Sequence, residues 1–87
     1  MSINKQEVLT KLNDYLCKRI SKNDVYEWAN KIVMSKDFDR LEKTDKLLSD
    51  AIQVLWELHH EGGKFDPTQE ELEYFQRCLE DKEKYRL

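Results

Sequence analysis

Proline, glycine and cysteine are scarce in this chain, and long apolar runs are absent. The 87 residues include one Pro, two Gly and two Cys. No apolar run approaches the roughly 20 residues that a membrane-spanning helix needs, and the N-terminal residues lack the apolar block of a signal peptide. No run of alternating β-branched or aromatic residues predicts a strand. We therefore expect an all-α protein that does not enter a membrane and is cytoplasmic.

Capping residues and helical periodicity indicate where the first two helices begin. Asn4 with Glu7 and Ser21 with Asp24 have the spacing of capping boxes, and apolar residues follow each pair at intervals of three and four. These patterns predict helices over about residues 5–19 and 22–34. Residues 35–43 have no sustained period and are expected to form a loop, with one helical turn at most.

The second half of the sequence predicts a helical hairpin. A helix over about residues 45–61 is followed by Gly62 and Gly63, which favour termination. The next helix has two overlapping starts, Asp66 before Pro67 or Thr68, and is expected over about residues 67–81. The charged residues 82–87 are expected to fray. Four short helices with short connections predict one domain, residues 1–87, folded as a small antiparallel four-helix bundle.

No combination of residues indicates catalysis or a metal site. His59 and His60 are adjacent, so their side chains project about 100° apart on a helix and do not share a face. Glu57 and His60 have a suitable spacing, yet two ligands do not make a site. Cys17 and Cys78 lack the close spacing of a zinc or redox motif, and we favour free thiols over a disulfide. We expect a non-enzyme with no metal and no cofactor.

The charge is unevenly distributed along the chain. Residues 1–44 carry nine Lys or Arg against seven Asp or Glu, whereas residues 45–87 carry six against eleven. The excess is concentrated on the last predicted helix, and its candidate binding residues are Glu70, Glu71, Glu73 and Glu80. One interpretation is a solvated helix face, and the other is an acidic face that binds another protein with a basic surface. The negative net charge disfavours nucleic acid as a partner.

Two aromatic residues lie at the flanks of predicted apolar stripes. Trp56 and Tyr26 have two interpretations. They cover the edge of the bundle, or they anchor a protein interface, as exposed Trp and Tyr often do. Two functions follow from these features. The first is a binding and inhibitory protein that uses the acidic helix and Trp56. The alternative is a structural or regulatory helical module that associates with itself or another protein through the edge at Trp56 and Tyr26.

Two segments carry a resemblance to a known family. The phrase LNDYLCKRISKNDVYEWANKIV and the later LLSDAIQVLWELHH, which precedes the acidic last helix, resemble the colicin-D-type self-protective immunity proteins of bacteria. Members of that family are small helical bundles that bind and block a cognate tRNA-cleaving toxin domain. The resemblance implies an inhibitor whose acidic side chains occupy the basic cleft meant for RNA phosphates.

Overall fold

α-Helices make up most of the chain that the structure describes. The computed structural model describes residues 3–59 and 68–85, and within these ranges it contains five α-helices and no strand. The all-α prediction is thus confirmed, whereas the predicted count of four helices is not. The helices are α1 Lys5–Leu16, α2 Lys22–Val33, α3 Lys36–Thr44, α4 Lys46–Trp56 and α5 Gln69–Leu79, and a 3₁₀ turn, Glu57–His59, directly follows α4.

The additional helix is α3, which occupies the segment predicted to be a loop. Its two apolar residues, Phe38 and Leu41, are three positions apart and therefore share a face, and Phe38 is buried. Acidic residues in the first turn, Asp37 and Asp39, and Lys43 in the last turn complement the helix dipole. The loop prediction was wrong because two apolar residues are too few to give a period. Packing against α2 and α4 stabilises this short helix.

The predicted helix starts agree with the observed caps. The Asn4 side chain accepts a hydrogen bond from the backbone N–H of Glu7 at 2.8 Å. Ser21 and Asp24 form a complete capping box, with both bonds at 3.1 Å. Of the two possible starts of the last helix, the structure uses Thr68; Asp66 and Pro67, like Gly62 and Gly63, lie outside the described residues.

Three helices end earlier than expected. In α1, Lys18 adopts a left-handed conformation with φ 62°, and the N–H of Arg19 donates to the carbonyl of Asp14 at 2.8 Å. At the end of α5, Asp81 has the same φ, and the N–H of Lys82 donates to the carbonyl of Arg77 at 2.9 Å. Both are Schellman turns that stop the helix without glycine. The predicted ends at 19 and 81 were wrong because no glycine marks these stops.

The third predicted helix, over residues 45–61, is also shorter in the structure. Asp45 is its N-cap, and its side chain accepts a hydrogen bond from the N–H of Leu48 at 3.1 Å. Regular α-helix ends at Trp56 and gives way to the 3₁₀ turn. Tightening of the last turn in this way is a common way for a helix to end.

Helix α4 is the centre of the fold. Among the described elements it is the one helix that contacts all four others, and its most extensive contact is with α2. Helix α1 packs mainly against α5. The core joins side chains from every helix, and its buried apolar members are Val8, Leu12, Val25, Ala29, Ile32, Phe38, Leu48, Ala51, Ile52, Leu55, Leu58, Leu72, Phe75, Cys78 and Leu79.

The two cysteines lie in different environments. Cys17, which caps α1, is exposed, whereas Cys78 in α5 is buried, and both are free thiols. Within the described ranges, none of the helices has the length and apolar character needed to cross a membrane.

Truncation of Leu55 tests the central position of α4. Leu55 is 1% exposed, so Leu55→Ala should lower the free energy of unfolding by about 2–5 kcal/mol through lost burial and a residual cavity. Leu47→Ala on the same helix is the control, because Leu47 is only half-buried and should cost less. Urea denaturation measures both. A cost for Leu55→Ala below about 0.5 kcal/mol, the level of a surface substitution, would contradict this orientation of α4.

Candidate protein-binding surface

The start of α5 exposes two of the predicted binding residues. The Thr68 hydroxyl accepts a hydrogen bond from the backbone N–H of Glu71 at 3.1 Å and so begins the helix. Glu70 and Glu71 lie in the first turn, where negative charge is favoured by the helix dipole, and both side chains are exposed. The same local sequence therefore stabilises the helix and presents two carboxylates.

Glu73 and Glu80 continue the acidic face along α5. Glu73 is half-buried, and its carboxylate accepts a hydrogen bond from the neutral Gln69 amide at 3.0 Å. Glu80, directly after the helix, lies 3.6 Å from the Lys82 ammonium. Glu70, Glu73 and Glu80 are separated by three and seven positions, so they share one side of the helix.

Glu71 belongs to the other flank of α5 and lines a groove. This α4–α5 groove runs between α4, α5 and the segment that follows α5, and it comprises two adjoining cavities of about 510 and 230 Å³. Glu71, Phe75 and Tyr85 line both cavities. The remaining lining residues are Asp50, Gln53 and Val54 of α4, Glu57 of the 3₁₀ turn, Tyr74 of α5, and Glu83.

Three aromatic rings form one wall of the groove. The Tyr85 ring centroid lies 5.6 Å from that of Phe75 and 6.2 Å from that of Tyr74. Tyr74 and Phe75 are themselves 5.8 Å apart and close to perpendicular. Such offset and edge-to-face contacts are favourable, so the three rings hold one another in place.

A carboxylate on α4 anchors Tyr85. The Tyr85 hydroxyl donates a hydrogen bond to Asp50, whose other oxygen lies 2.7 Å from the Lys46 ammonium. Burial, followed by the hydrogen bond to Asp50 and its negative charge, raises the pKa of the Tyr85 phenol above its ordinary value. The hydrogen bond and charge of Asp50 likewise raise the pKa of Lys46.

The chain reversal at Asp81 brings Tyr85 to this position. The left-handed backbone of Asp81 turns the chain after α5, and its carboxylate lies 2.7 Å from the Lys5 ammonium at the start of α1. Glu83 is 3.5 Å from the Arg77 side chain. Fraying was expected from residue 82 onward. Residues 82–85 do lie outside regular helix, yet Tyr85 packs on the aromatic rings, while residues 86–87 lie outside the described ranges.

Trp56 lies on α4 and Tyr26 on α2, and neither lines the α4–α5 groove. Both are half-buried, and the Trp56 indole N–H donates to the Asn30 side chain on α2 at 3.0 Å. Tyr26 lies one turn before Asn30, on the same flank of α2. Met34, one turn after Asn30, is 72% exposed. The structure therefore separates Trp56 from the carboxylates of α5, although the sequence analysis grouped them in one surface.

Of the residues that line the groove, Glu71 alone was identified from the sequence as a binding residue. Those missed include Asp50, Glu57, Glu83 and Tyr85, which come from α4, the 3₁₀ turn and the segment after α5. Asp50 and Glu57 are seven residues apart, a spacing that places them on one helix face and was visible in the sequence. Which neighbouring helix that face meets depends on the packing of the whole domain.

The histidines considered for metal binding fall largely outside the described structure. His60, Glu61 and the side chain of His59 lie outside the described part of the chain. Across residues 3–59 and 68–85, no group of three or more His, Cys, Asp or Glu is arranged to hold a metal ion.

Comparison of the chain with protein-family models, characterised proteins and solved structures gives no match.

The contact between Tyr85 and Asp50 predicts a pH-dependent stability. Since the folded state raises the phenol pKa, the contribution of Tyr85 is fully present below the unfolded-state pKa of about 10 and is lost as pH rises through the folded-state value. At neutral pH, Tyr85→Phe should lower the free energy of unfolding by about 0.5–1.5 kcal/mol.

Urea denaturation of both proteins between neutral pH and about pH 11 measures this difference. The difference in free energy of unfolding between wild type and Tyr85→Phe should narrow above about pH 10. Lysine titration affects the stability of both proteins alike, so it does not change this difference. A difference that stays constant across the whole range would contradict the hydrogen bond to Asp50.

Proposed function

We propose that this protein binds a basic surface of another protein through the acidic side formed by α5 and the α4–α5 groove. The observation that carries the proposal is the density of carboxylates there. Glu70, Glu73 and Glu80 lie along one face of α5, and Glu71 lies on the neighbouring flank, where it lines the groove. Electrostatic complementarity of this kind accelerates encounter and disfavours wrong partners.

The hydrogen bonds and ion pairs of these residues support the proposal. Glu73 is bound by a neutral amide, and Glu80 pairs with Lys82, whose side chain is 68% exposed. Arg77, which lies between them on the helix, pairs with Glu83. Exposed ion pairs are weak, so a partner exchanges them at little cost. The acidic face therefore keeps most of its capacity to bind cations.

We further propose that the partner is a tRNA-cleaving toxin domain and that the protein is its immunity protein. The small size, the all-helical fold and the acidic last helix support this, together with the resemblance to colicin-D-type immunity proteins. An enzyme that cleaves RNA needs cationic side chains to hold phosphates, and carboxylates on a rigid helix compete for the same cations. Inhibition then follows from occupying the cleft, and the protein itself performs no catalysis.

A second candidate function is a helical interaction module that uses the edge between α2 and α4. One observation favours it: Tyr26, Asn30 and Met34 lie in a row on α2, with Trp56 packed beside them and Met34 largely exposed. Exposed Met and half-buried aromatics are enriched at protein interfaces. This edge suits self-association or an apolar partner.

Charge reversal on α5 tests the first function. Partners are captured from an extract of the native host, and association is then measured with the protein that is retained. Replacing Glu70, Glu71 and Glu73 with Lys should slow association, about 10-fold or more, and raised salt should slow association of the unmodified pair. The free energy of unfolding should fall by about 1–2 kcal/mol, because Glu70 and Glu71 lie in the first turn of α5, where the helix dipole favours negative charge, and thermal unfolding checks that the fold is retained.

Trp56→Ala is the matched test of the second function. If the reversed protein associates at the wild-type rate while Trp56→Ala abolishes binding, the interface is the α2–α4 edge and the electrostatic proposal is wrong. An acidic captured partner would contradict it equally. Sedimentation of the free protein, with and without Met34→Lys, reports whether that edge mediates self-association.

A further inference from the structure

The α4–α5 groove combines an aromatic wall with acidic sides. Tyr74, Phe75 and Tyr85 provide the rings, and Asp50, Glu57, Glu71 and Glu83 provide four carboxylates. Among the described residues that line it, none is Lys, Arg or His. Of the two cavities, that of about 510 Å³ falls within the size range of small-molecule pockets and that of about 230 Å³ falls below it. The groove is therefore large enough to receive a long side chain.

Contacts already present in the structure illustrate the chemistry of the site. Asp50 holds the Lys46 ammonium at 2.7 Å from one oxygen and accepts the Tyr85 hydroxyl at the other. Burial is the main cause of the raised pKa of the Tyr85 phenol, and the negative charge of Asp50 adds to it. That negative charge attracts a cation at the same place.

We propose that the α4–α5 groove receives an arginine side chain from the basic protein partner. This inference rests on the proposed function and specifies which group of the partner enters the groove. Aromatic faces attract guanidinium groups, and the planar guanidinium makes paired hydrogen bonds to a carboxylate while it stacks on a ring. Lysine offers a compact, strongly hydrated charge and gains less from the aromatic wall.

Glu71 is the residue of the groove that best discriminates this proposal from general acidity. It lines both cavities, whereas its neighbour Glu70 lines neither. Both are exposed and both lie in the first turn of α5. Replacing each with Gln removes the same charge from adjacent positions. The backbone N–H of residue 71 keeps its bond to Thr68 in either variant.

The test is calorimetric titration of the full-length protein with an oligoarginine peptide and with an oligolysine peptide of equal length. We expect the arginine peptide to bind more tightly. Glu71→Gln should weaken its binding about 10-fold, and Glu70→Gln by less than about threefold. Tyr74→Leu, which removes a ring and keeps apolar volume, should reduce the preference for arginine over lysine. Thermal unfolding of each variant confirms that the fold is retained.

The possible outcomes separate this inference from the proposed function. If Glu70→Gln and Glu71→Gln weaken the binding of both peptides equally, the acidic side binds cations but the groove has no special role. The inference is then overturned, while the proposed function stands. If the lysine peptide binds as tightly as the arginine peptide, the inference is overturned as well. If neither peptide binds the wild-type protein, both proposals fail.

Discussion

The burial of α4 is the constraint on which the rest of the structure depends. Its buried apolar residues, Leu48, Ala51, Ile52 and Leu55, form one stripe, and three partly buried residues at the flanks of that stripe, Leu47, Val54 and Trp56, also pack against the core. Helices α1, α2, α3 and α5 cover this apolar surface. Even the buried Ser49 is satisfied, because its hydroxyl donates to the carbonyl of Lys46 at 3.1 Å. The polar strip that remains on α4, with Asp50, and Glu57 of the 3₁₀ turn form one side of the groove.

Two local features at the ends of α5 shape the groove. Thr68 begins the helix so that Glu71 faces α4, and the left-handed Asp81 sends the chain back toward it. A left-handed conformation costs a residue other than glycine roughly 1 kcal/mol or more, although Asp tolerates it better than most. The contacts that the turn allows Tyr85 to make with Asp50 and Phe75 act against that cost. The aromatic wall is thus a consequence of how the helix ends.

The sequence predicted features governed by local interactions and failed where packing decides. The bounds of α2 and its capping box were predicted almost to the residue, because the hydrogen bonds between Ser21 and Asp24 join residues only three positions apart. Helix α3 was missed because its stability comes from packing against α2 and α4, which the local sequence does not reveal. Glu71 was selected as a binding residue for its charge. Tyr85, expected in a frayed tail, was not selected, since its position depends on contacts with α4 and α5 across the fold.

Native-state hydrogen exchange tests the central role of α4 most directly. If every other helix packs against it, the amides of Ile52 and Leu55 should exchange only through global unfolding, with an opening free energy equal to the free energy of unfolding. The amides of α3, a short helix with one buried apolar residue, should open at lower free energy. Exchange of Ile52 and Leu55 that is as easy as that of Leu41 would contradict the architecture described and, with it, the groove that α4 forms.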